Sequence, residues 1–288
     1  MKRLLMGLVF ALFCSGVVAS AGPNEVRKTV QASMLVTGSI VVAPDGSVRS
    51  YVIDHPEKLP SVVVGLIEKN EKTWRFEPTL LDSQPVAAKA NMSLRIVAKP
   101  VDKENYAISI AGAEFDQDND KPGESISYKR RILPLYPRDA ASARVTGTVY
   151  MLVLVDRQGQ VENASIEVVN MTVVASDTEL NAWRRVLGNA ALSAVKHWTF
   201  NVPTTGMEAH KDHWLGLVPV NFYLNGSGVD HDAKYGTWIT YVPGPKQEVP
   251  WLDNINMKAA TESADAIADG ALYQVGSGLQ LTTSLNGT

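Results

Sequence analysis

Few residues in this chain have types and spacing suited to chemistry. His210 and His213 bracket the stretch His-Lys-Asp-His, with His231 and Asp232 downstream. Converging side chains there could hold a metal or serve an enzyme using His210, Asp212 and His213. A His-x-x-His pair with no cysteine beside it is more simply a polar loop, so no metal is expected. Asp116, Asp118 and Asp120 echo a calcium loop. Lys121 stands where that loop needs glycine, and Ser127 where it needs its closing glutamate. Gly226-Ser227-Gly228 and Gly276-Ser277-Gly278 read as linkers rather than nucleophile turns, and no glycine-rich phosphate loop precedes a helix. Asn91, Asn163 and Asn170 head Asn-x-Ser/Thr triplets, which matter only in a glycosylating route. Trp74 and Trp198 could stack on a ligand, but beside Phe76 and Phe200 they read as core plugs. The sequence therefore points away from an enzyme and implies no cofactor.

Val145–Val155, a turn at Asp156–Gly159, and a return from Val161 read as a β-hairpin. Apolar residues from Leu180 to Trp198 recur at three- and four-residue steps, one helical stripe facing a sheet. Trp198-Thr199-Phe200, Pro203 and a last strand over Leu215–Leu224 follow. An earlier stretch has the same order: Val36-Thr37-Gly38, a turn at Pro44-Asp45-Gly46, a strand over Val48–Ile53, a helix over Val62–Trp74, Trp74-Arg75-Phe76 with Pro78, and a strand over Val86–Val97. Agreement at these points in order implies an internal duplication. Tyr106–Phe115 adds a strand, and Asp116–Ser125 a solvated linker.

Composition bounds the function. With 45% apolar and 20% charged residues the chain is ordinarily globular. Its net charge of −3 becomes −5 without Lys2 and Arg3, which offers no field for nucleic acid. Met1–Gly22 has the basic start, short apolar run and Ala-Ser-Ala close of a cleaved secretory signal. Cys14, the one cysteine, follows bulky Phe13 and does not suit lipidation; its removal with the leader leaves no disulfide chemistry.

Leu133–Ala141 with its Tyr136-Pro137, then Gly147, the hairpin, Ala190–Phe200 and Val218–Phe222 resemble the TonB C-terminal domain over residues 133–224. Residues 36–97 look like a diverged second copy without the Tyr-Pro lead-in. The resemblance implies an α+β fold of two such units, each a small antiparallel sheet packed on one helix. It also implies a periplasmic role: gripping an outer-membrane receptor by adding the receptor's peptide as a strand beside the domain's last strand. An open strand edge is a ready template for that. Partner-binding positions are then Tyr136, Pro137, Leu215, Leu217, Val218, Val220, Asn221, Phe222 and Leu224. Energy transducers of the family also use a retained membrane helix and a Pro-rich spacer, whereas this leader reads as cleavable and no such spacer follows.

The resulting expectation has five parts: a signal peptide at 1–21, a diverged unit at 22–115, a linker at 116–132, a TonB-C-like domain at 133–224, and an extension at 225–288. In that extension Tyr235–Leu252 would be an extended strap, Met257–Ala271 a helix, and the end from Gly276 frayed. The function expected is binding of a protein or peptide, such as an outer-membrane receptor, by strand addition, without nucleic acid and without a membrane span after cleavage. The alternative is a scaffold whose sheet edges are capped by its own strap or by a second copy in a homodimer.

Overall fold

Alternation of buried and half-buried residues along Gln31–Val42 makes this stretch the centre of a sheet. The structure, a computed structural model, describes residues 20–102, 104–117, 123–224, 235–252 and 271–286. The chain enters through α1 (Pro23–Arg27) and continues into β1 (Gln31–Val42), β2 (Val48–Ile53) and α2 (Ser61–Asn70). A short hairpin, β3 (Thr79–Leu81) and β4 (Gln84–Val86), precedes the long strands β5 (Ala88–Pro100) and β6 (Tyr106–Gln117). Then come β7 (Ser127–Arg130), α3 (Arg138–Ser142), β8 (Gly147–Asp156), β9 (Val161–Met171), α4 (Asp177–Val195), β10 (Thr199–Asn201) and β11 (His213–Phe222). Two short strands, β12 (Ile239–Tyr241) and β13 (Tyr273–Gln274), close the order.

Two larger antiparallel sheets result, beside the two-stranded pairs β3-β4 and β7-β10. In the first, β5 runs along one side of β1 and carries β6 beyond it, so β12 and β2 share the other side of β1. The second has the order β13-β11-β8-β9. The α+β class with antiparallel sheets is the one expected.

The two sheets share a core pattern of three strands. β2-β1-β5 matches β9-β8-β11 in order and direction. Val63 and Ile67 of α2 are buried on the first sheet, and Leu180, Leu187, Ala191 and Val195 of α4 on the second. A capping box at Ser176 and Glu179 starts α4 by satisfying otherwise orphaned amide donors. Both helices stop before the tryptophan expected at their ends: α2 passes into a 3-10 turn at Glu71–Thr73, and α4 ends at Val195. Trp74 and Trp198 are buried, 0% and 1% exposed, as core plugs.

The hairpin turns match as well. Gly46 and Gly159 sit at φ 82° and 74°, and their carbonyls accept from Phe76 N–H and Phe200 N–H, each at 2.8 Å. A Cβ on Gly159 would lie 2.1 Å from the Phe200 carbonyl oxygen. Gly159→Ala is therefore expected to cost at least about 1–3 kcal/mol in backbone strain, before the clash is counted, read as a lower denaturation midpoint. An unshifted midpoint would count against the tightness of this turn.

One correspondence joins distant parts of the chain. In the second half, β7 pairs with β10 at Tyr128↔Phe200, and Trp198 Nε1 donates to the Ile132 carbonyl at 2.7 Å. In the first half, Leu281 bridges Phe76 and Trp74 Nε1 donates to the Leu285 carbonyl at 3.1 Å. Residues 281–285 thus do for the first half what 128–132 do for the second.

Three expectations need correction. The end of the chain, expected to be frayed, is ordered through Asn286. Thr282 N–H donates to Arg75 O, and the Asn286 side chain bonds both backbone groups of Ile110. Residues 22–31, whose polar sequence predicts a loose lead-in, are held in place, because Val26 enters the second half's core and Asp177 N–H bonds Ala21 O. The linker from residue 116 contains β7, since Tyr128 packs its ring against Trp198 and Phe200. The expected helix over Met257–Ala271 falls, but for Ala271, outside the described residues, as do Met1–Ala19 of the leader and Asp118, Asp120, His231 and Asp232. Among the described residues no helix is long and apolar enough to cross a membrane.

Candidate partner-binding edge

β11 is the strand on which the expected site depends, and its geometry follows from period-two alternation. Val218, Val220 and Phe222 enter the core under α4. Leu215 and Leu217 point to the opposite face, where Tyr150, Leu152 and Val275 surround them. These five apolar candidates are all buried, so they shape the edge from within. Asn221 and Leu224 are half-buried.

Backbone direction distinguishes the edge positions. Leu215 O accepts from Val275 N–H at 2.7 Å, so Leu215 turns its peptide groups away from β8. With an unbroken register against β8, Leu217, Pro219 and Asn221 do the same. Pro219 therefore costs the outer edge a donor and leaves the β8 ladder intact, as a proline in an edge strand must. Asn221 also brings a buried side-chain oxygen, Oδ1, that has no hydrogen-bond partner.

This edge, expected to be open, is partly occupied. β13 pairs with it at Gly216↔Gln274 and Leu217↔Tyr273. The strap does not cover it. Val242 and Met171 exchange backbone bonds at 2.7 and 3.0 Å, and Gln247 N–H reaches Glu167 O, so the strap lies along β9. Val249, Trp251 and Leu252 then pack on the sheet face opposite α4.

Tyr136 and Pro137 sit near the end of β11. The Tyr136 ring meets Phe222 edge-on at 5.5 Å and its hydroxyl donates to Val145 O. Pro137 is the N-cap of α3. Leu133 and Leu135 just before them are 75% and 89% exposed.

Sequence reasoning missed the residues that hold β13. Gln274 Oε1 accepts from Ile126 N–H at 2.9 Å, and Gln274 Nε2 donates to Glu208 Oε2. Tyr273 bonds the Glu114 carboxyl, and burial pushes the Glu114 pKa to about 8, with Asp116 and Glu167 adding repulsion. No local pattern marks these positions, because their partners come from separate strands and turns.

The histidine stretch does not converge. Asp212 pairs with Arg157 at 2.7 Å, His213 Nε2 with Glu162 at 2.8 Å, and His210 lends its carbonyl to Arg157. Among the described residues no three His, Cys, Asp or Glu side chains group as metal ligands would.

Residues 133–224 match the model of the family described as Gram-negative bacterial TonB protein C-terminal. Two proteins named Protein TonB, from Xanthomonas campestris pv. campestris strains B100 and ATCC 33913, are each 36% identical to this chain over 100 residues. That alignment covers 35% of this chain and 39% of theirs, so it spans well under half the length of these curated relatives. No solved structure matches significantly.

Proposed function

We propose that residues 133–224, being a TonB C-terminal domain, serve this chain as a protein-binding module of the Gram-negative periplasm. The module takes a partner's extended segment beside β11, in the service of outer-membrane transport. One observation carries the reading: the outer side of β11 is met by a strand of two residues, whereas β5, its counterpart, is lined by β6 from Ala90↔Gln117 to Pro100↔Tyr106. The first half is then a diverged copy of the domain with its accepting edge filled, and the second half is the copy that accepts. Backbone donors and acceptors along such an edge supply affinity, and flanking side chains select the partner.

The test is Asn221→Pro. It removes an outward N–H beyond the reach of β13, while proline at Val220 would break the β8 ladder and unfold the sheet. Capture of a TonB-dependent outer-membrane receptor from detergent-solubilised membranes is expected to fall about tenfold, the loss of one buried hydrogen bond. Circular dichroism should stay unchanged. Undiminished capture by a folded variant would reject strand addition at this edge.

A second reading is a scaffold with self-capped edges. It is favoured by β13 on β11 and by the strap on β9. It expects no receptor capture by either protein.

A further inference from the structure

We propose that Tyr273-Gln274-Val275 is a built-in stand-in for the partner strand. The partner then displaces it with the same pair of side chains, an uncharged amide followed by a β-branched apolar residue. This rests on the strand-addition reading and names both the partner's chemistry and the control of the site.

The stand-in is held more by side chains than by backbone. Its ladder is two residue pairs long and gives out toward Pro219, which has no N–H to offer. Val275, 2% exposed, fills an apolar socket between Leu215, Leu217 and Leu152. Gln274, 5% exposed, uses both ends of its amide: the oxygen on Ile126 N–H and the nitrogen on Glu208. Lys211 neutralises the other oxygen of Glu208 at 2.7 Å, so the remaining one is left for a neutral donor.

The socket therefore discriminates. A glutamate in place of the glutamine would set two carboxylates together. A leucine would leave the buried Ile126 N–H without an acceptor, a penalty larger than the bond itself contributes. A flat strand edge would accept many peptides; this one asks for an amide at one place and a β-branched side chain at the next.

Residues 279–286 are fastened separately to the first half, through Phe115, Arg75 and Trp74. Tyr273–Val275 can therefore leave β11 while the rest of the tail stays. Tethering keeps the local concentration of the stand-in high, so a partner must outbind a competitor that never diffuses away.

The experiment uses a labelled peptide copying residues 271–276, Ala-Leu-Tyr-Gln-Val-Gly, and the full chain. Natural protein should bind it weakly, and Gln274→Leu, which loosens the internal strand, about tenfold more tightly. A peptide with leucine for glutamine should bind the same variant about tenfold less tightly. In a Cys14→Ser background, Gly216→Cys with Gln274→Cys places two thiols at directly opposed positions. Only the end of the Leu272 side chain must shift to admit the new Cβ at 216. Oxidised, this protein should refuse the peptide; reduced, it should bind.

Equal binding in both redox states would overturn the proposal, as would failure of a folded Gln274→Leu chain to bind. Hydrogen exchange on the unsubstituted protein gives a reading free of folding effects. The Val275 amide should exchange at least about tenfold faster than that of Val153 in β8, and equal protection would also overturn it. Receptor capture sensitive to Asn221→Pro but indifferent to the disulfide lock would remove the stand-in and keep the strand-addition reading. Capture indifferent to both would remove the reading itself.

Discussion

Deleting residues 277–288 is expected to unfold the first half of the protein while α4 and its sheet persist. The deletion takes Leu279 and Leu285, 6% and 7% exposed, out of the first core. Each large aliphatic lost from a core costs about 2–5 kcal/mol. It also leaves the indole N–H of a fully buried Trp74 with no acceptor, about 1–3 kcal/mol more. Together these rival the roughly 5–15 kcal/mol that holds a whole domain folded. Limited proteolysis with mass mapping checks this: cuts should appear at Lys69 and Arg75 and be absent from α4. Unchanged resistance at those two sites would show that the first half stands without the tail.

Glu114→Gln is expected to stabilise the protein at neutral and alkaline pH and to flatten its pH dependence. Glu114 is 8% exposed and stays protonated in the folded chain up to about pH 8, chiefly because burial penalises its charge. Asp116 and Glu167, the latter paired with Lys246, face the same region. In the unfolded chain the carboxyl ionises near its ordinary value of 4.5. Between these values the folded state holds the extra proton, so stability is full below about pH 4.5, falls as pH rises, and levels off above about pH 8. The accumulated loss is on the order of 5 kcal/mol. Glutamine keeps a hydrogen-bond acceptor for Tyr273 without a charge to bury. Denaturation midpoints at pH 5.5 and 8.5 should therefore differ in the natural chain and much less in the variant; parallel profiles would contradict the assignment.

What could be read from sequence was whatever is written locally. Pro44-Asp45-Gly46 and Asp156–Gly159 announce turns, and the period of Leu180, Leu187 and Ala191 announces a helix face. Recurrence of Trp-x-Phe at the end of each helix fixes the order of both halves. The resemblance placed the domain at 133–224, the span that the family model matches.

The tail was illegible for the opposite reason. Gly276–Thr288 is rich in Gly, Ser and Thr and looks unstructured by composition. Its order comes from Leu279, Leu281 and Leu285 meeting groups some two hundred positions away, as in the Thr282–Arg75 bond, which spans 207. β13 is too short to show a period, and Gln274 matters only because Ile126 and Glu208 converge on it. Strand β11 was therefore visible in the sequence, and β13, which pairs with it, was not.

The bond from Trp74 to Leu285 spans 211 positions. A chain emerging amino end first, from a ribosome or a translocon, presents the first half long before the segment that completes it exists. Folding cannot go domain by domain in the order of synthesis; the half made first must finish last. Throughout that wait its unfilled core is exposed to chaperones or to neighbouring chains, and its closure is slowed by the search for a very distant contact.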